Sequence, residues 1–228
     1  MKSLNAYITE KMVYSKANAS KYKYHPKTKE ELEGLLKQLI KERGNEADLN
    51  DIDTSKITDM SFLFSEMEEF NGDISNWDVS KVTDMNRMFS KCEKFNQDIS
   101  KWNVSKVKDM CYMFYDCKSF NQPLNDWDVS NVTNMEQMFY KCHKFNQSLD
   151  NWNVSNVINM RSMFNGCKSF NQPLNKWDVS NVTDMYSMFK GCELFNQDIS
   201  KWNISKVKNY TNMFNECPIK EKYKHKFQ

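Results

Sequence analysis

The chain repeats a unit of 25 residues, and the period does not slip. The tryptophans show it most clearly, because all six lie 25 residues apart. They are Trp77, Trp102, Trp127, Trp152, Trp177 and Trp202. Columns of Phe, Met and Cys follow the same period, so the aromatic-rich composition reflects one copied unit. A fixed period of this length is typical of proteins whose units each pack only on their neighbours.

The pattern within one unit predicts a strand followed by a short helix. Trp102 and Val104 alternate with polar residues, which places both on one face of an extended segment. Val107 and Met110 begin an apolar series at three- and four-residue steps, and Asp109 stands where a helix needs an N-cap. We therefore predict an α/β repeat solenoid, leucine-rich-repeat-like, with parallel strands stacked on one side, short helices on the other and a helical N-terminal cap.

The chain divides into three predicted parts. Residues 1–47 form an N-terminal cap, with a helix, a Lys/Tyr strand and an amphipathic helix at 29–43. Residues 48–217 contain seven repeats, and residues 218–228 form a basic C-terminal cap or tail. The cap is expected to cover the first repeat, because the end of a repeat stack otherwise exposes its core.

The amphipathic helix of the cap has the clearest boundaries. Thr28 and Glu31 form a capping-box pattern, and Gly44 fits the helix end. Leu32, Leu36 and their neighbours fit one helical face. An earlier helix is predicted from Ser3 to Lys16.

Two short segments alternate Lys with aromatic residues or His, at 21–25 and 222–226. We interpret both as edge strands, because lysine on an edge discourages pairing between molecules. The alternative for each is a solvated basic segment.

The run MFYDCKSFNQPLNDWDVSNVTNM, from Met113 to Met135, resembles the BspA-type leucine-rich repeat of the DUF285 class. The resemblance extends from Asp48 to Cys217 and points to a bacterial or phage origin. It implies the leucine-rich-repeat-like fold and a surface or interaction role, without a defined activity.

Six of the seven cysteines form a column that predicts buried, reduced thiols. Disulfides and a metal ladder are the alternatives. Cys111 lies off this column, and we expect it on the outer helix surface as the reactive thiol. The column consists of Cys92, Cys117, Cys142, Cys167, Cys192 and Cys217.

The polar columns are predicted to be structural. The Asn column that begins at Asn71 is expected to bond backbone groups between repeats, with a ligand ladder as the alternative. Asp and Asn alternate from Asp78 onward, which separates like charges, and a row of cation sites is the alternative. We predict no catalytic, cofactor-binding or metal-ligating residue, and no cofactor.

Composition excludes several functions. A net charge of +2 gives no drive toward nucleic acid, and three widely spaced histidines leave little for catalysis. No apolar run approaches the ~20 residues of a membrane span. Met1 to Tyr24 lacks the apolar segment of a signal peptide. We expect no enzyme, no nucleic-acid partner and a cytoplasmic or virion location.

The leading hypothesis is a non-enzymatic scaffold that binds a protein partner, with the oligomeric state left open. Positions that vary between repeats are free to carry specificity, and aromatic and Arg residues suit a contact patch. The predicted partner-binding residues on the helical side are Arg87, Tyr112, Tyr115, Tyr140 and Tyr186.

The alternative is a virion structural or packaged internal protein of a large tailed phage. Ile8-Thr9-Glu10 resembles the cleavage site at the end of some prohead-targeting leaders. An ordinary amphipathic helix start explains the same residues.

Overall fold

The computed structural model describes residues 21–224 and residue 227. Two α-helices occur in this part of the chain, α1 at Lys29–Arg43 and α2 at Glu221–Lys224. The helix predicted from Ser3 to Lys16 lies outside the described residues. Neither of the described helices is long and apolar enough to cross a membrane.

The predicted α/β solenoid is wrong. Between α1 and α2 the described chain contains no helix and no strand, only turns joined by isolated parallel bridges. Without consecutive bridges there is no sheet, so neither the stacked parallel strands nor the row of short helices exists. The longest column of bridges joins, in order, Asp59, Asp84, Asp109, Asn134, Asn159, Asp184 and Asn209.

Backbone conformation explains why the predicted helices do not form. Each repeat has two residues with positive φ, which in the third repeat are Tyr112 (57°) and Asp116 (58°). A right-handed helix cannot include such residues. Asp109 is not an N-cap but accepts the N–H of Cys111 two residues on, in an Asx turn. The three- and four-residue apolar spacing therefore comes from consecutive tight turns.

Backbone hydrogen bonds stack the repeats in sequence order. Met85, Arg87, Phe89 and Lys91 of the second repeat donate their N–H groups to carbonyls of the third at 2.6–3.0 Å. The residues between them close turns within the repeat, as Met88 does on the Met85 carbonyl. Alternate N–H groups thus bond along the stack and around the turn, which satisfies a buried backbone without a sheet.

The core is a stack of aromatic rings, and the predicted inward Trp column is confirmed. No Trp side chain is more than 4% exposed. The Trp102 and Trp127 rings are parallel with centroids 6.5 Å apart, and Phe114 and Phe120 stack at 4.2 Å. Each indole is also anchored, because Trp127 Nε1–H donates to the Ile99 carbonyl of the preceding repeat at 3.1 Å.

Helix α1 occupies the residues for which its capping pattern predicted it. Thr28 accepts the N–H of Glu31 at 3.3 Å, and Gly44 ends the helix with φ 86° while its N–H bonds the Ile40 carbonyl. Leu32, Leu36 and Leu39 are buried in the same core as the repeats.

The two predicted edge strands are wrong. In the first segment only Tyr24 pairs, through an isolated bridge with Ile52. In the second, residues up to Lys224 belong to α2, whose four residues form a helical turn. Residues 225 and 226 lie outside the described part of the chain.

Trp127→Ala is expected to lower the free energy of unfolding by about 3–5 kcal/mol, because it leaves a cavity in the middle of the stack. Trp127→Phe keeps one aromatic ring and removes the indole donor to the Ile99 carbonyl, which retains the Trp102 N–H, so we expect a loss of about 1–3 kcal/mol. Urea titration of both variants measures the difference. An alanine variant as stable as the parent contradicts the buried column.

Candidate partner-binding surface

A continuous ridge of aromatic and basic side chains crosses the first four repeats. It consists of Phe62, Arg87, Tyr112, Tyr115 and Tyr140, and we call it the aromatic ridge. The Arg87 guanidinium lies 4.3 Å from the Tyr112 ring centroid and 5.6 Å from that of Phe62. Tyr115 lies 5.6 Å from Tyr112 and stacks on Tyr140 at 4.8 Å, with the rings 2° from parallel.

The turn geometry of the repeats positions the ridge. Phe62, Arg87 and Tyr112 occupy the same position in successive repeats, the first of the two with positive φ. In the second repeat, Met85 and Met88 on either side of this position are fully buried. At this position Phe62 is 52% exposed and Arg87 is half-buried, whereas Ser162 and Ser187 in the fifth and sixth repeats are buried.

Tyr186, the fifth predicted partner-binding residue, lies in a second group joined to the ridge. Arg161 lies 4.1 Å above its ring and contacts the Glu136 carboxylate at 3.9 Å. Glu136 also accepts from the Tyr112 hydroxyl at 3.4 Å, and Gln137 donates to that hydroxyl at 2.8 Å. The structure thus places four of the predicted residues in direct contact with one another and links them to the fifth, Tyr186, through Glu136 and Arg161.

Burial, followed by the nearby Glu136 carboxylate, raises the pKa of Tyr112. The phenol therefore stays protonated at neutral pH, where it can donate a hydrogen bond. For Tyr186 the pKa is lowered, first through a hydrogen bond with the Asn212 side chain.

A shallow groove of about 650 Å³ runs across the later repeats. Ile158, which is 50% exposed, lies in its lining beside threonine and asparagine side chains. The asparagine amides are held in place, since Asn156 Nδ2 donates to the Ser130 carbonyl at 2.7 Å. The lining residues are Lys108, Asn131, Thr133, Asn156, Ile158, Asn181, Thr183 and Lys206.

Sequence reasoning missed this groove and the pair Arg161–Glu136. The signal was present in the columns, because Ile158 breaks a series of Thr and Lys residues at one position of the repeat. Arg161 and Glu136 likewise occupy one column in successive repeats. Tyr186 stands in this same column one repeat later, and the prediction took only the tyrosine of the column, without the arginine that stacks on it.

All seven cysteines are free, and the five from Cys92 to Cys192 in the predicted column are fully buried. Each of these thiols donates to a carbonyl of the preceding repeat, as Cys117 does to Phe89 at 2.9 Å. The predicted surface thiol is wrong: Cys111 is only 5% exposed, and burial raises its pKa to about 12. Cys217, in the last repeat, is half-buried, and burial raises its pKa to about 11.

The Asn column bonds the backbone, as predicted, and the Asp78 column, which was predicted only to separate like charges, bonds it too. Asn71 Oδ1 accepts the N–H of Asn96 at 2.9 Å, and the contact recurs along the column. Asp78 accepts the N–H of Ser80 at 3.0 Å, and hydrogen bonds from Ser80, first from its side chain and then from its N–H, lower the pKa of Asp78. Within the described residues no three His, Cys, Asp or Glu side chains are placed to hold a metal ion.

Asp109 differs from the other carboxylates of the bridge column. Burial raises its pKa, and the neighbouring Asp84 adds to the effect. The same position holds Asn134 and Asn159 in the next two repeats. The ionised Asp109 therefore destabilises the folded chain at neutral pH.

The family model described as "Mycoplasma protein of unknown function, DUF285" matches residues 33–149 and 122–227. No curated protein and no solved structure matches the chain.

Asp109→Asn is expected to raise Tm at pH 7 by roughly 2 °C, because the amide keeps the bond to the Cys111 N–H without the buried charge. The pKa is raised on folding, so the gain is complete above the folded pKa and disappears below about pH 4. Thermal scans from pH 3.5 to 8 measure it.

Asp128→Asn is the control for this pH dependence. The hydrogen bond from Ser130 lowers the pKa of Asp128, so this variant should lose stability at pH 7. A gain for Asp109→Asn that persists unchanged at pH 3.5 contradicts the electrostatic explanation.

Native protein treated with a thiol reagent at pH 7.5 is expected to react first at Cys217, because the other thiols are buried. Cys217→Ser should remove the fast phase, and denaturant should expose six further thiols in the parent. Two or more fast thiols in the Cys217→Ser variant contradict the buried column.

Proposed function

The chain belongs to the DUF285 family, and we propose that it is a non-enzymatic scaffold that binds a protein partner through the aromatic ridge. One observation carries the proposal: Phe62, Arg87, Tyr112, Tyr115 and Tyr140 contact one another in an unbroken row. Scattered exposed tyrosines are common on protein surfaces, whereas a contiguous aromatic and basic patch is typical of interfaces.

The composition of the ridge suits a protein interface. Tyr and Arg are enriched among the residues that dominate binding energy. Arg87 is held between the rings of Phe62 and Tyr112, and Tyr115 is held against Tyr140. Side chains already restrained in the free protein lose less entropy on binding, which favours affinity.

The ridge also has the length that an interface needs. From Tyr112 the contacts continue through Glu136 and Arg161 to Tyr186, in the sixth repeat. A partner that follows this row contacts successive repeats and meets both an acidic and a basic group. Such mixed charge favours specificity of register.

The subclass, source and location of the protein are also part of this proposal. We infer the BspA-type subclass and a bacterial or phage source from the run Met113 to Met135. A cytoplasmic or virion location, and a partner that is neither nucleic acid nor membrane, rest on charge and hydropathy. The virion alternative depends on Ile8-Thr9-Glu10, which lies outside the described residues.

The test replaces Tyr112, Tyr115 and Tyr140 together by Ser. Capture from a lysate of the source organism identifies partners of the parent, and calorimetry with each purified partner gives its Kd. The triple variant should bind at least fivefold more weakly, since each dominant interface residue contributes more than about 1 kcal/mol.

The matched control is the double variant Ile158→Ser and Leu194→Ser, which removes exposed apolar side chains elsewhere on the surface. It should bind like the parent, with all three proteins equally folded by circular dichroism. Equal binding by the triple variant removes the ridge as the site, and a loss confined to the control moves the site to the groove.

A further inference from the structure

The two ends of the stack are finished differently. At the N-terminal end α1 packs on the first repeat and buries Leu32, Leu36 and Leu39. At the other end the seventh repeat begins at residue 198, and within the described residues it is followed by α2 and not by another repeat. Comparison with the interior repeats identifies the backbone hydrogen-bond acceptors that this outer edge lacks within the described residues.

Four backbone donors at the outer edge have no acceptor among the residues that the structure describes. In the sixth repeat the N–H groups of Met185, Ser187, Phe189 and Gly191 all bond carbonyls of the seventh, at 2.8–3.0 Å. Their counterparts in the seventh repeat find no hydrogen-bond acceptor within the described part of the chain. These four edge donors are the N–H groups of Tyr210, Asn212, Phe214 and Glu216.

The apolar side chains of this edge are also incompletely covered. Tyr210 is 37% exposed where its counterpart Met185 is fully buried. Phe227 packs edge-on against Tyr210 and Phe214, with centroids 5.8 and 5.4 Å away. Ile219 is buried nearby. The C-terminal segment thus covers part of the rings, while its described residues accept no hydrogen bond from the edge donors.

Charge defines what the edge attracts. Residues 198–224 carry six lysines against three acidic side chains. The N-terminal end shows how this molecule covers a charged layer. The first repeat, residues 48–72, carries seven acidic side chains against one lysine. The N-terminal cap forms ion pairs with this repeat. Lys29 Nζ lies 3.4 Å from Asp59 Oδ2, and Arg43 Nη2 lies 2.9 Å from Asp51 Oδ2. Because basic side chains of the cap cover the acidic first repeat, we expect the basic edge of the seventh repeat to bind an acidic segment.

A second copy of this chain does not fit the edge. Two edges facing each other would place N–H donors against donors and lysines against lysines. A head-to-tail contact needs the outer side of the first repeat, which α1 already covers through buried leucines. The occupant must therefore be a different polypeptide.

We propose that the outer edge of the seventh repeat binds an acidic segment of another protein, which adds to the stack as an eighth layer. Its alternate carbonyls accept the four edge donors, in the manner of strand addition to a sheet edge. Its acidic side chains lie near lysines such as Lys208 and Lys220. This site is separate from the aromatic ridge and does not depend on it.

The probe is a synthetic peptide of residues 48–72, which is acidic and carries the side-chain pattern of one repeat. A scrambled peptide of the same composition controls for charge alone. We expect the native-order peptide to bind the full chain by fluorescence anisotropy, at least tenfold tighter than the scrambled one. Equal binding of both, or no binding of either, overturns the proposal.

Hydrogen exchange by NMR locates the bound peptide. The N–H groups of Tyr210, Asn212, Phe214 and Glu216 should exchange rapidly in the free protein and at least tenfold more slowly with peptide bound. The sixth-repeat donors, already bonded, are the internal control and should be slow in both states. Binding without new protection at the four edge donors overturns the proposal.

Charge reversal gives an independent readout. Lys208→Glu with Lys220→Glu should weaken peptide binding at least tenfold at low salt. Lys94→Glu with Lys144→Glu makes the same change on exposed lysines in the middle of the stack and should leave binding unchanged. Equal weakening by both pairs overturns the site. Sedimentation of the protein alone is the last check, because growth in mass with concentration would assign the edge to a second copy.

Discussion

In each of the first six repeats, four alternate backbone N–H groups donate to the next repeat, and the remaining features depend on this alternation. Because the donors recur at fixed positions, each repeat must present its carbonyls at matching positions, which fixes the period at 25 residues. The intervening N–H groups close tight turns, and two residues per repeat take positive φ to make those turns possible. The aromatic rings of successive repeats then stack on one another. An inserted or deleted residue would place a carbonyl where a donor is needed and leave buried polar groups unpaired.

The same constraint divides the side chains into two kinds. Positions facing the core, such as Trp127 and Phe114, meet the same neighbours in each repeat and cannot vary. Positions between them, such as Arg87 and Tyr112, are only partly buried and differ from repeat to repeat. Contacts among these positions run along the stack, so a recognition surface on the side of the stack is a row and not a pocket. The proposed ridge and the groove are both rows of this type.

The sequence predicts which side chains of each repeat are buried, but it does not predict the backbone turns that connect them. Burial of the Trp and Cys columns, the Asn71 column on the backbone and helix α1 all follow from spacing and capping rules, and all are present. The helix predicted around Met110 is wrong because apolar residues at three- and four-residue steps occur both in a helix and in consecutive tight turns. Tyr112 and Asp116 are not glycines, and only Gly166 and Gly191, at the Asp116 position of the fifth and sixth repeats, signal a left-handed residue. Cys111 was misplaced for the same reason: an outer helix surface was assumed where a buried turn exists.

The tryptophans give the molecule a direction. Each indole N–H bonds a carbonyl 28 residues earlier in the chain, and the column thiols reach back in the same way. Side-chain hydrogen bonds therefore join each repeat to the one before it in the chain, whereas the alternate backbone N–H groups donate to the repeat that follows. During synthesis from the N-terminus, every new indole meets an acceptor that is already in place. A chain shortened by whole repeats at its C-terminal end keeps all its remaining indoles bonded. Loss of the first repeat instead removes the Leu49 carbonyl from Trp77.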